Sequence, residues 1–449
     1  MKTFIPLITL ALLMLGSLTK AQQPSKWEGE IFVLNQTIPF KFDFDKAEKG
    51  VMNIPVQGAY NLKIHSKTWN DSLFLVRVDT TTSNMLFKAR PGEGDTIKGM
   101  FSQSGFEGQF HLFPATETQE TYSWIEKEVR FSHDSITLAG SLSIPDSSKA
   151  YPAVIFISGS GQQDRDENIY GFRIFKQLVP AFIDKGIAVL RFDDRGAGES
   201  DEGNVQEADS RDFADDVAAA YRYLSRHPNI DSTAIGMLGH SEGGLIAPMV
   251  AQRYQPAFLI LMAGPTVPGK EILLEQARML LKTEDSAKEE VDELLENYRL
   301  IYDEILKEKT DTNKIKDIYR TIFNDGSPVQ DSSLYEHAIS AAVNLLTTPW
   351  LQFFLSYNPQ PALENLDMPV LAVFGGKDLQ VTEQQNRPFI DTLIEQGKDN
   401  FQIKTYPEAN HLFQKAETGN PAEYESLKKA FVNGFANDLA MWVQAVLIH

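Results

Sequence analysis

Gly239-His240-Ser241-Glu242-Gly243 is the stretch of this sequence that decides the fold. Before it, residues 233–238 form a short apolar run that is typical of a buried strand, and after it residues 244–251 begin an apolar helix. A serine on such a strand-to-helix turn presents its hydroxyl above the sheet, in strained backbone that the flanking glycines accommodate. The G-x-S-x-G pattern in this context predicts that Ser241 is a nucleophile; the alternative is a glycine-rich turn with an incidental serine.

Strands and helices alternate on both sides of this turn, from about residue 123 to the end. An entry hairpin at 129–145 comes first. Ser210 is predicted to be the N-cap of the helix at 210–226. Buried apolar strands that alternate with helices specify a mostly parallel sheet with helices on both faces. Strands are predicted at 153–157, 187–192, 233–238, 258–263, 369–374 and 401–406, and helices at 172–184, 210–226, 383–396 and 423–447.

The alternation is interrupted by residues 268–348, which are rich in Glu, Lys and Leu. Their apolar residues recur at helical spacing, so a coiled coil is one interpretation, but the pattern breaks at 310–311. We interpret this stretch as a helical cap inserted into an α/β domain that spans 123–449.

Residues 22–122 have a different pattern, with short alternating stretches separated by turn residues. This predicts a small antiparallel β domain, barrel-like or sandwich-like, and the pattern does not choose between the two. The polar residues of this domain form no catalytic pattern.

The first 21 residues resemble a secretory signal peptide, with a basic start, a short apolar run at 4–15 and cleavage near Ala21. The apolar run is too short to span a bilayer comfortably, so we expect a secreted or periplasmic protein without stable membrane insertion. The oligomeric state is left open.

The composition of the chain excludes several classes of function. The sequence has no cysteine, which excludes disulfides, thiolate metal sites and a cysteine nucleophile. A net charge of −19 argues against nucleic acid as a partner. No His, Asp or Glu grouping has metal-ligand spacing, so we expect no metal and no cofactor.

A serine nucleophile needs a base, and the base needs an acid that orients it. In strand–turn–helix sites of this kind the chain order is Ser, then Asp or Glu, then His. Of the histidines after Ser241, His337 lies in the cap and His449 ends the chain, which leaves His411 in the loop after the last strand.

The acid is expected where a strand ends at the same sheet edge as the serine. Asp378 follows the strand 369–374 in this way. Asp367, Glu383 and Asp391 are alternatives, each more simply a surface charge.

An oxyanion hole needs two backbone N–H groups. One is expected from Glu242, and the other from the loop after the strand 153–157, with Ser160 as first candidate and Gly161 as second. The charged residues nearby have two interpretations: Arg165 or Arg195 binds a substrate carboxylate, or Arg–Asp pairs order the loops, which we favour.

Residues 123–449 resemble the α/β-hydrolases, and in particular exported bacterial esterases of the dienelactone-hydrolase-like group. The resemblance is carried by the motifs 158–167 (SGSGQQDRDE), 191–200 (RFDDRGAGES), 239–244 (GHSEGG), 376–378 (GKD) and 410–411 (NH). It implies an α/β-hydrolase fold, Ser241 as nucleophile with Asp378 and His411 as partners, and hydrolysis of short-chain carboxylic esters. Residues 22–122 are similar to the N-terminal β domains that precede some of these hydrolases. The resemblance implies no role for this domain.

We therefore expect a serine carboxylesterase that acts on a small-molecule ester through an acyl-enzyme. The alternatives are a serine peptidase or aminopeptidase of the same fold, and a binding protein whose hydrolase domain is idle. Trp350, Phe353 and Phe354 either line the acyl pocket or pack in the core.

Overall fold

The computed structural model describes residues 25–33, 36–44, 49–57, 59–70, 72–80, 84–92, 95–115, 122–282, 288–322 and 332–448. The predicted signal peptide lies outside these residues. None of the helices in the described part of the chain combines the length and the apolar character that crossing a bilayer requires.

The N-terminal strands form an antiparallel barrel that closes by pairing the eighth strand with the first. Alternate side chains along each strand point inward, and Phe40, Phe74, Phe87 and Phe110 fill the interior with at most 1% exposure each. The predicted β domain is therefore a barrel and not a sandwich. Its strands are β1 (Lys26–Val33), β2 (Gln36–Asp43), β3 (Val51–Ile54), β4 (Ala59–Asn70), β5 (Leu73–Val78), β6 (Met85–Ala89), β7 (Ile97–Gln103) and β8 (Phe106–Pro114).

The second part of the chain contains a further sheet of eight strands and a short two-stranded hairpin. The strands are β9 (Ile125–His133), β10 (Ile136–Ile144), β11 (Tyr151–Ile157), β12 (Asn168–Ile169), β13 (Phe172–Arg173), β14 (Ala188–Phe192), β15 (Ile230–His240), β16 (Leu259–Met262), β17 (Val370–Gly375) and β18 (Phe401–Tyr406). The order across the sheet is β18-β17-β16-β15-β11-β14-β10-β9, and β12 pairs with β13 in the hairpin. Across the sheet, every neighbouring pair from β14 through β11 and β15 to β18 is parallel. At the other end β10 pairs with β14 antiparallel, and β9 and β10 form the predicted entry hairpin.

Helices cover both faces of this sheet and form the cap. They are α1 (Ile174–Asp184), α2 (Ser210–Leu224), α3 (Glu242–Ala251), α4 (Gly269–Leu281), α5 (Lys288–Ile305), α6 (Thr312–Ile322), α7 (Ser332–Leu346), α8 (Pro349–Ser356), α9 (Gln360–Glu364), α10 (Glu383–Glu395) and α11 (Phe435–Leu447). The N-cap of α2 is Asp209, whose side chain accepts from the Arg211 N–H, and not Ser210 as expected. The closing helix starts twelve residues later than expected, at Phe435, after Gly434 in a left-handed conformation.

Separate apolar clusters lie on the two faces of the sheet and in the cap. In the cap, Leu274 of α4, Ile301 and Ile305 of α5, Ile315 of α6 and Val343 of α7 pack together. The charged stretch therefore folds into a compact helical unit, which is what the cap interpretation requires, and not into an extended coiled coil.

The barrel contacts the second part of the chain next to the loops that follow β11 and β14. Asn61 of β4 donates from Nδ2 to the Gly196 carbonyl oxygen at 3.0 Å. The 3-10 turn Pro55–Gln57 packs against β12. The barrel thus supports the hairpin and loop that border the site described below.

Candidate active site

Ser241 occupies a strained turn between β15 and α3. Its backbone has φ 52° and ψ −119°, a region that non-glycine residues rarely adopt. Such strain persists only where the surrounding structure fixes it, and it is common at functional sites. The turn thus places Ser241 at the end of a strand and before a helix, as the sequence pattern predicts.

The glycines around Ser241 are required by close contacts. A Cβ on Gly239 would lie 2.0 Å from the Gly243 carbonyl oxygen, and one on Gly243 would lie 2.2 Å from the Ile157 carbonyl oxygen. A Cβ on Gly244 would lie 2.6 Å from Cα of Gly264. The glycines of the GHSEGG motif therefore allow α3 to pack tightly against β11 and against the residues that follow β16.

Asp378 and His411 meet at the same edge of the sheet. Asp378 follows β17 and His411 follows β18, and His411 Nδ1 lies 2.8 Å from Asp378 Oδ2. The other carboxylate oxygen accepts from the N–H groups of Gln380 and Val381, at 2.8 and 2.9 Å. Asp378 is 4% exposed. Its orientation is thus fixed by the backbone, and it fixes the imidazole in turn.

Glu167 and His240 form a buried pair that sequence reasoning missed. His240 Nδ1 lies 2.8 Å from Glu167 Oε1, and His240 Nε2 lies 3.0 Å from the His411 carbonyl oxygen. The Gly159 N–H also donates to Glu167 Oε1, at 2.8 Å. This pair therefore links the loop after β11, the residue before Ser241 and the loop of His411.

The charge state of His240 follows from these contacts. Both ring nitrogens face acceptors, so the two bonds form together only when the imidazole is doubly protonated. Burial lowers the pKa of His240, but the charge and hydrogen bond of Glu167, with the His411 carbonyl bond, raise it above its ordinary value overall. The contacts and the raised pKa therefore favour the imidazolium form of His240 beside Ser241.

The Glu242 side chain is a second buried carboxylate next to Ser241. It accepts from Ser210 Oγ at 2.6 Å and from Trp350 Nε1 at 2.9 Å. Burial raises the pKa of Glu242, and hydrogen bonds from Ser210, Trp350 and Ser160 offset part of that rise. Its N–H is at the first position of α3, where no intrahelical acceptor exists, so it is available to a developing oxyanion.

The loop after β11 brings the two other oxyanion candidates to different places. Ser160 lines the same cavity as Ser241, whereas Gly161 borders a smaller cavity behind the loop. The carboxylate of Asp194 holds this loop, because it accepts from Ser158 Oγ at 2.8 Å and from the Gln163 N–H at 3.0 Å. The arrangement favours Ser160 over Gly161 as the second donor.

A cavity of about 400 Å³ opens above Ser241 and His411. Trp350 and Phe354 contribute to its wall. Phe353 instead packs against Tyr357 and lies under the Arg211 guanidinium. The structure therefore assigns two of the three aromatic residues at the end of the cap to the cavity.

Both arginines of the neighbouring loops are engaged in ion pairs. Arg165 binds Asp193 through Nε and Nη2, at 3.1 and 2.8 Å, and Arg195 binds Asp216 through Nε and Nη2, at 2.7 and 2.9 Å. These contacts agree with the loop-ordering interpretation. Among the described residues, no cluster of three or more His, Asp or Glu side chains is arranged to hold a metal ion.

Comparison with known proteins gives two family matches within this half of the chain. The model of the serine aminopeptidase S33 family matches residues 171–321, and that of the prolyl oligopeptidase family matches residues 328–438. Both matches fall on the sheet and cap that carry the strained serine turn. The chain has the α/β-hydrolase fold and is similar to hydrolases of that fold. This confirms the predicted fold class and the prediction of a serine hydrolase.

Individual proteins similar to this α/β-hydrolase bear the names of esterases and a thiohydrolase. Esterase EstD of Thermotoga maritima is 26% identical over 374 residues, which cover 82% of this chain and 81% of that protein. Thiohydrolase AneE of Aspergillus aculeatus is 37% identical over 83 residues, which cover 17% of this chain and 26% of that protein. Among solved structures, the Pyrococcus furiosus esterase Pf2001 aligns with a TM-score of 0.45 and 16% identity, over 75% of this chain and 96% of that one.

Two signals in the sequence point to the missed residues of this α/β-hydrolase. His240 stands between a buried strand and an apolar helix, and a buried imidazole needs partners for both nitrogens. Glu167 ends the charged run 164–167, for which we considered binding of a substrate carboxylate by Arg165 and, preferentially, ordering of the loops by Arg–Asp pairs. No sequence rule connects the two residues, because they meet through a turn in which Glu167 has a φ of 48°.

Proposed function

We propose that this α/β-hydrolase is a serine carboxylesterase that hydrolyses small or short-chain carboxylic esters through an acyl-enzyme on Ser241. One observation carries the proposal: Ser241 and His411 line one cavity, and Asp378 binds the far nitrogen of His411 at 2.8 Å. A serine hydroxyl needs such an oriented base to act as a nucleophile near neutral pH.

In the first half of the reaction the Ser241 hydroxyl attacks the ester carbonyl carbon, and His411 Nε2 takes its proton. The carbonyl oxygen becomes an oxyanion that accepts from the Glu242 N–H and from a second amide, for which Ser160 is the candidate. The positive N-terminus of α3 stabilises the same charge. Collapse of the intermediate breaks the bond to the alcohol oxygen, which takes the proton from His411.

In the second half His411 removes a proton from water, which attacks the acyl carbon. The tetrahedral intermediate collapses with release of the carboxylic acid, and the proton returns to Ser241 Oγ. Throughout, Asp378 stabilises the imidazolium and keeps Nδ1 protonated, so that Nε2 faces the reacting atoms.

The lining of the cavity supports an uncharged substrate. The described residues around it include apolar side chains and the amides Gln163, Gln276 and Gln380, but no lysine or arginine. Its carboxylates are Glu167 and Glu242, which are 1% and 2% exposed and already bind protein donors. A carboxylic ester without charged groups fits this lining, and the volume of about 400 Å³ suits a small one.

The similarity to esterase EstD over most of both chains also supports an ester substrate. An aminopeptidase is the second candidate, because both matched family models bear peptidase names. That activity needs a free carboxylate for the substrate ammonium group. Among the described residues of the cavity, Glu242 is bonded through both carboxylate oxygens, and Glu167 is paired with His240 through Oε1 while its Oε2 has no partner but is buried. Neither carboxylate is thus exposed as an anchor for an ammonium group, so we favour the ester.

We further propose that the protein is exported and that its first 21 residues are removed. The basic start, short apolar run and small residue at Ala21 support this. Mass spectrometry of the protein from its native cells tests it: a mature N-terminus at residue 22 is expected, and a retained Met1 would contradict it.

The experiment that tests the function measures p-nitrophenyl acetate and butyrate hydrolysis beside aminoacyl-p-nitroanilide hydrolysis. Ester turnover that disappears in Ser241→Ala, with fluorophosphonate labelling of the wild type only, is expected. Amide turnover without ester turnover would favour the aminopeptidase. A wild type that neither reacts with the probe nor turns over either substrate would indicate an idle hydrolase domain that acts only in binding.

A further inference from the structure

The carboxylate of Glu242 connects the serine turn to α8, the helix that follows the cap. Its Oε1 and Oε2 lie 2.9 and 3.1 Å from Nε1 of Trp350, and Oε1 also accepts from Ser210 Oγ. Glu242 is 2% exposed, and a carboxylate in such a place is stable only when donors surround it. Two of these donors differ in kind: Ser210 belongs to the helix α2 of the core, whereas Trp350 belongs to the helix by which the chain leaves the cap.

Trp350 is held so that its ring borders the cavity. It lies in the first turn of α8, which Thr348 caps, and its ring stacks on Phe354 at 5.5 Å with an interplanar angle of 21°. Both rings line the cavity that contains Ser241 and His411. Stacking on Phe354 fixes the plane of the Trp350 ring but not the direction of its indole N–H. The bond to Glu242 fixes that direction, because a buried indole N–H needs an acceptor.

We propose that Glu242 is a positioning residue whose carboxylate fixes the Trp350 indole as a wall of the cavity, and thereby sets the size of ester that the site accepts. This inference rests on the proposed esterase function. The backbone of Glu242 serves the oxyanion, while its side chain sets substrate size. The contact between Glu242, which follows the nucleophile in the chain, and Trp350 of α8 therefore sets the upper limit of substrate size.

The test compares kcat/KM for p-nitrophenyl esters of increasing acyl length, and for acetates of increasing alcohol size, in variants of the two partners. Trp350→Phe removes the N–H and keeps an aromatic ring, and Glu242→Gln removes the charge and keeps an amide oxygen. We expect each to change the ratio of long to short substrates in at least one series by about 10-fold or more, the low end of what one methylene contributes in a hydrophobic pocket. Trp350→Phe removes the donor of this contact, and Glu242→Gln replaces its charged acceptor by a weaker neutral one. Because both variants act on one contact, the double variant is expected to add little.

Ser210→Ala is the matched control, since it removes a different donor from the same carboxylate and leaves Trp350 in place. We expect its size ratios to stay within about 2-fold of the wild type, the range of independent small effects. Equal shifts in Ser210→Ala and Trp350→Phe, or unchanged ratios in Trp350→Phe, would overturn the proposal. If Glu242→Gln fails to fold, Trp350→Phe still decides the question, because the buried carboxylate and most of the ring remain.

Failure of the proposed function gives a different result. A wild type that hydrolyses none of the esters would contradict the esterase function before any variant is compared. An active wild type whose variants keep its size ratios would contradict only the role of Glu242.

Discussion

His240 Nδ1 lies 2.8 Å from Glu167 Oε1, and the same imidazole reaches the His411 carbonyl oxygen through Nε2 at 3.0 Å. The loop of the base is thus attached to the residue that precedes the nucleophile. Because both bonds require the imidazole to donate, they depend on its positive charge, and Glu167 is the counterion. This relationship makes the geometry of the site dependent on a titratable group outside the triad.

Stability should therefore depend on the protonation of His240. Its pKa in the folded chain is raised, so the imidazolium contributes stability fully below the ordinary histidine pKa, and this contribution is lost as pH rises through the folded value. Glu167, His411 and Asp378 are the titratable groups that face it. We expect the melting temperature of the wild type to exceed that of His240→Gln most near pH 6, and the difference to shrink toward pH 9. Thermal melts across this range check the sign; a difference that grows with pH would contradict it.

Asp378 should be required for the base function of His411 but not for folding. In Asp378→Asn the amide no longer stabilises the imidazolium and favours the wrong tautomer, so kcat is expected to fall on the order of 10³- to 10⁴-fold. Steady-state kinetics with p-nitrophenyl butyrate measure the loss. Glu383→Gln is the control: Glu383 was an alternative acid, but it binds Arg387 and Thr405 instead. A loss below about 10-fold in Asp378→Asn would point to a different acid.

A methyl group at Gly159 is expected to require a shift of its neighbours by a few tenths of an ångström. A Cβ there would lie 3.2 Å from Ser241 Cβ and 3.0 Å from Glu167 Oε1. Gly159→Ala should displace the loop after β11 from the serine by a few tenths of an ångström and lower kcat/KM by up to about 10-fold, since a displacement of about 1 Å costs on the order of 100-fold. Gly92→Ala is the control, since its Cβ would meet nothing within 4 Å. Equal activities of the two variants would show that the loop adjusts freely.

The sequence predicted the sheet and the triad because both depend on local pattern and chain order. Apolar runs mark buried strands, and the carboxyl ends of parallel strands bring Asp378 and His411 to the edge of Ser241 whatever the helices between them do. In contrast, the pair of Glu167 and His240 depends on a contact between residues 73 positions apart, for which no periodicity exists.

The N-cap of α2 and the closure of the barrel could not be predicted from local sequence patterns either. Ser210 was expected to cap α2, but Asp209 takes that position and frees the Ser210 hydroxyl to donate to Glu242. Both residues are good N-caps, and only the tertiary partner separates them. Closure of the β domain depends on pairing β1 with β8, which alternation within each strand does not determine.

The barrel should influence catalysis through Asn61. This residue has φ 53°, which asparagine tolerates better than other non-glycine residues, and its Nδ2 donates to the Gly196 carbonyl oxygen. Gly196 follows Arg195, whose carbonyl oxygen accepts from Gln162 in the loop after β11. Asn61→Ala is expected to lose about 1–2 kcal/mol of stability from strain and the lost bond, and to lower kcat/KM a few-fold because the loop loses support.

Melting temperature and kcat/KM, measured on the same preparations, separate these two effects. Ser104→Ala is the matched control, because Ser104 also has a positive φ of 50° but lies in the turn between β7 and β8. We expect it to lower the melting temperature and leave kcat/KM unchanged. If Asn61→Ala behaved in the same way, the barrel would contribute stability at this contact and nothing to the reaction.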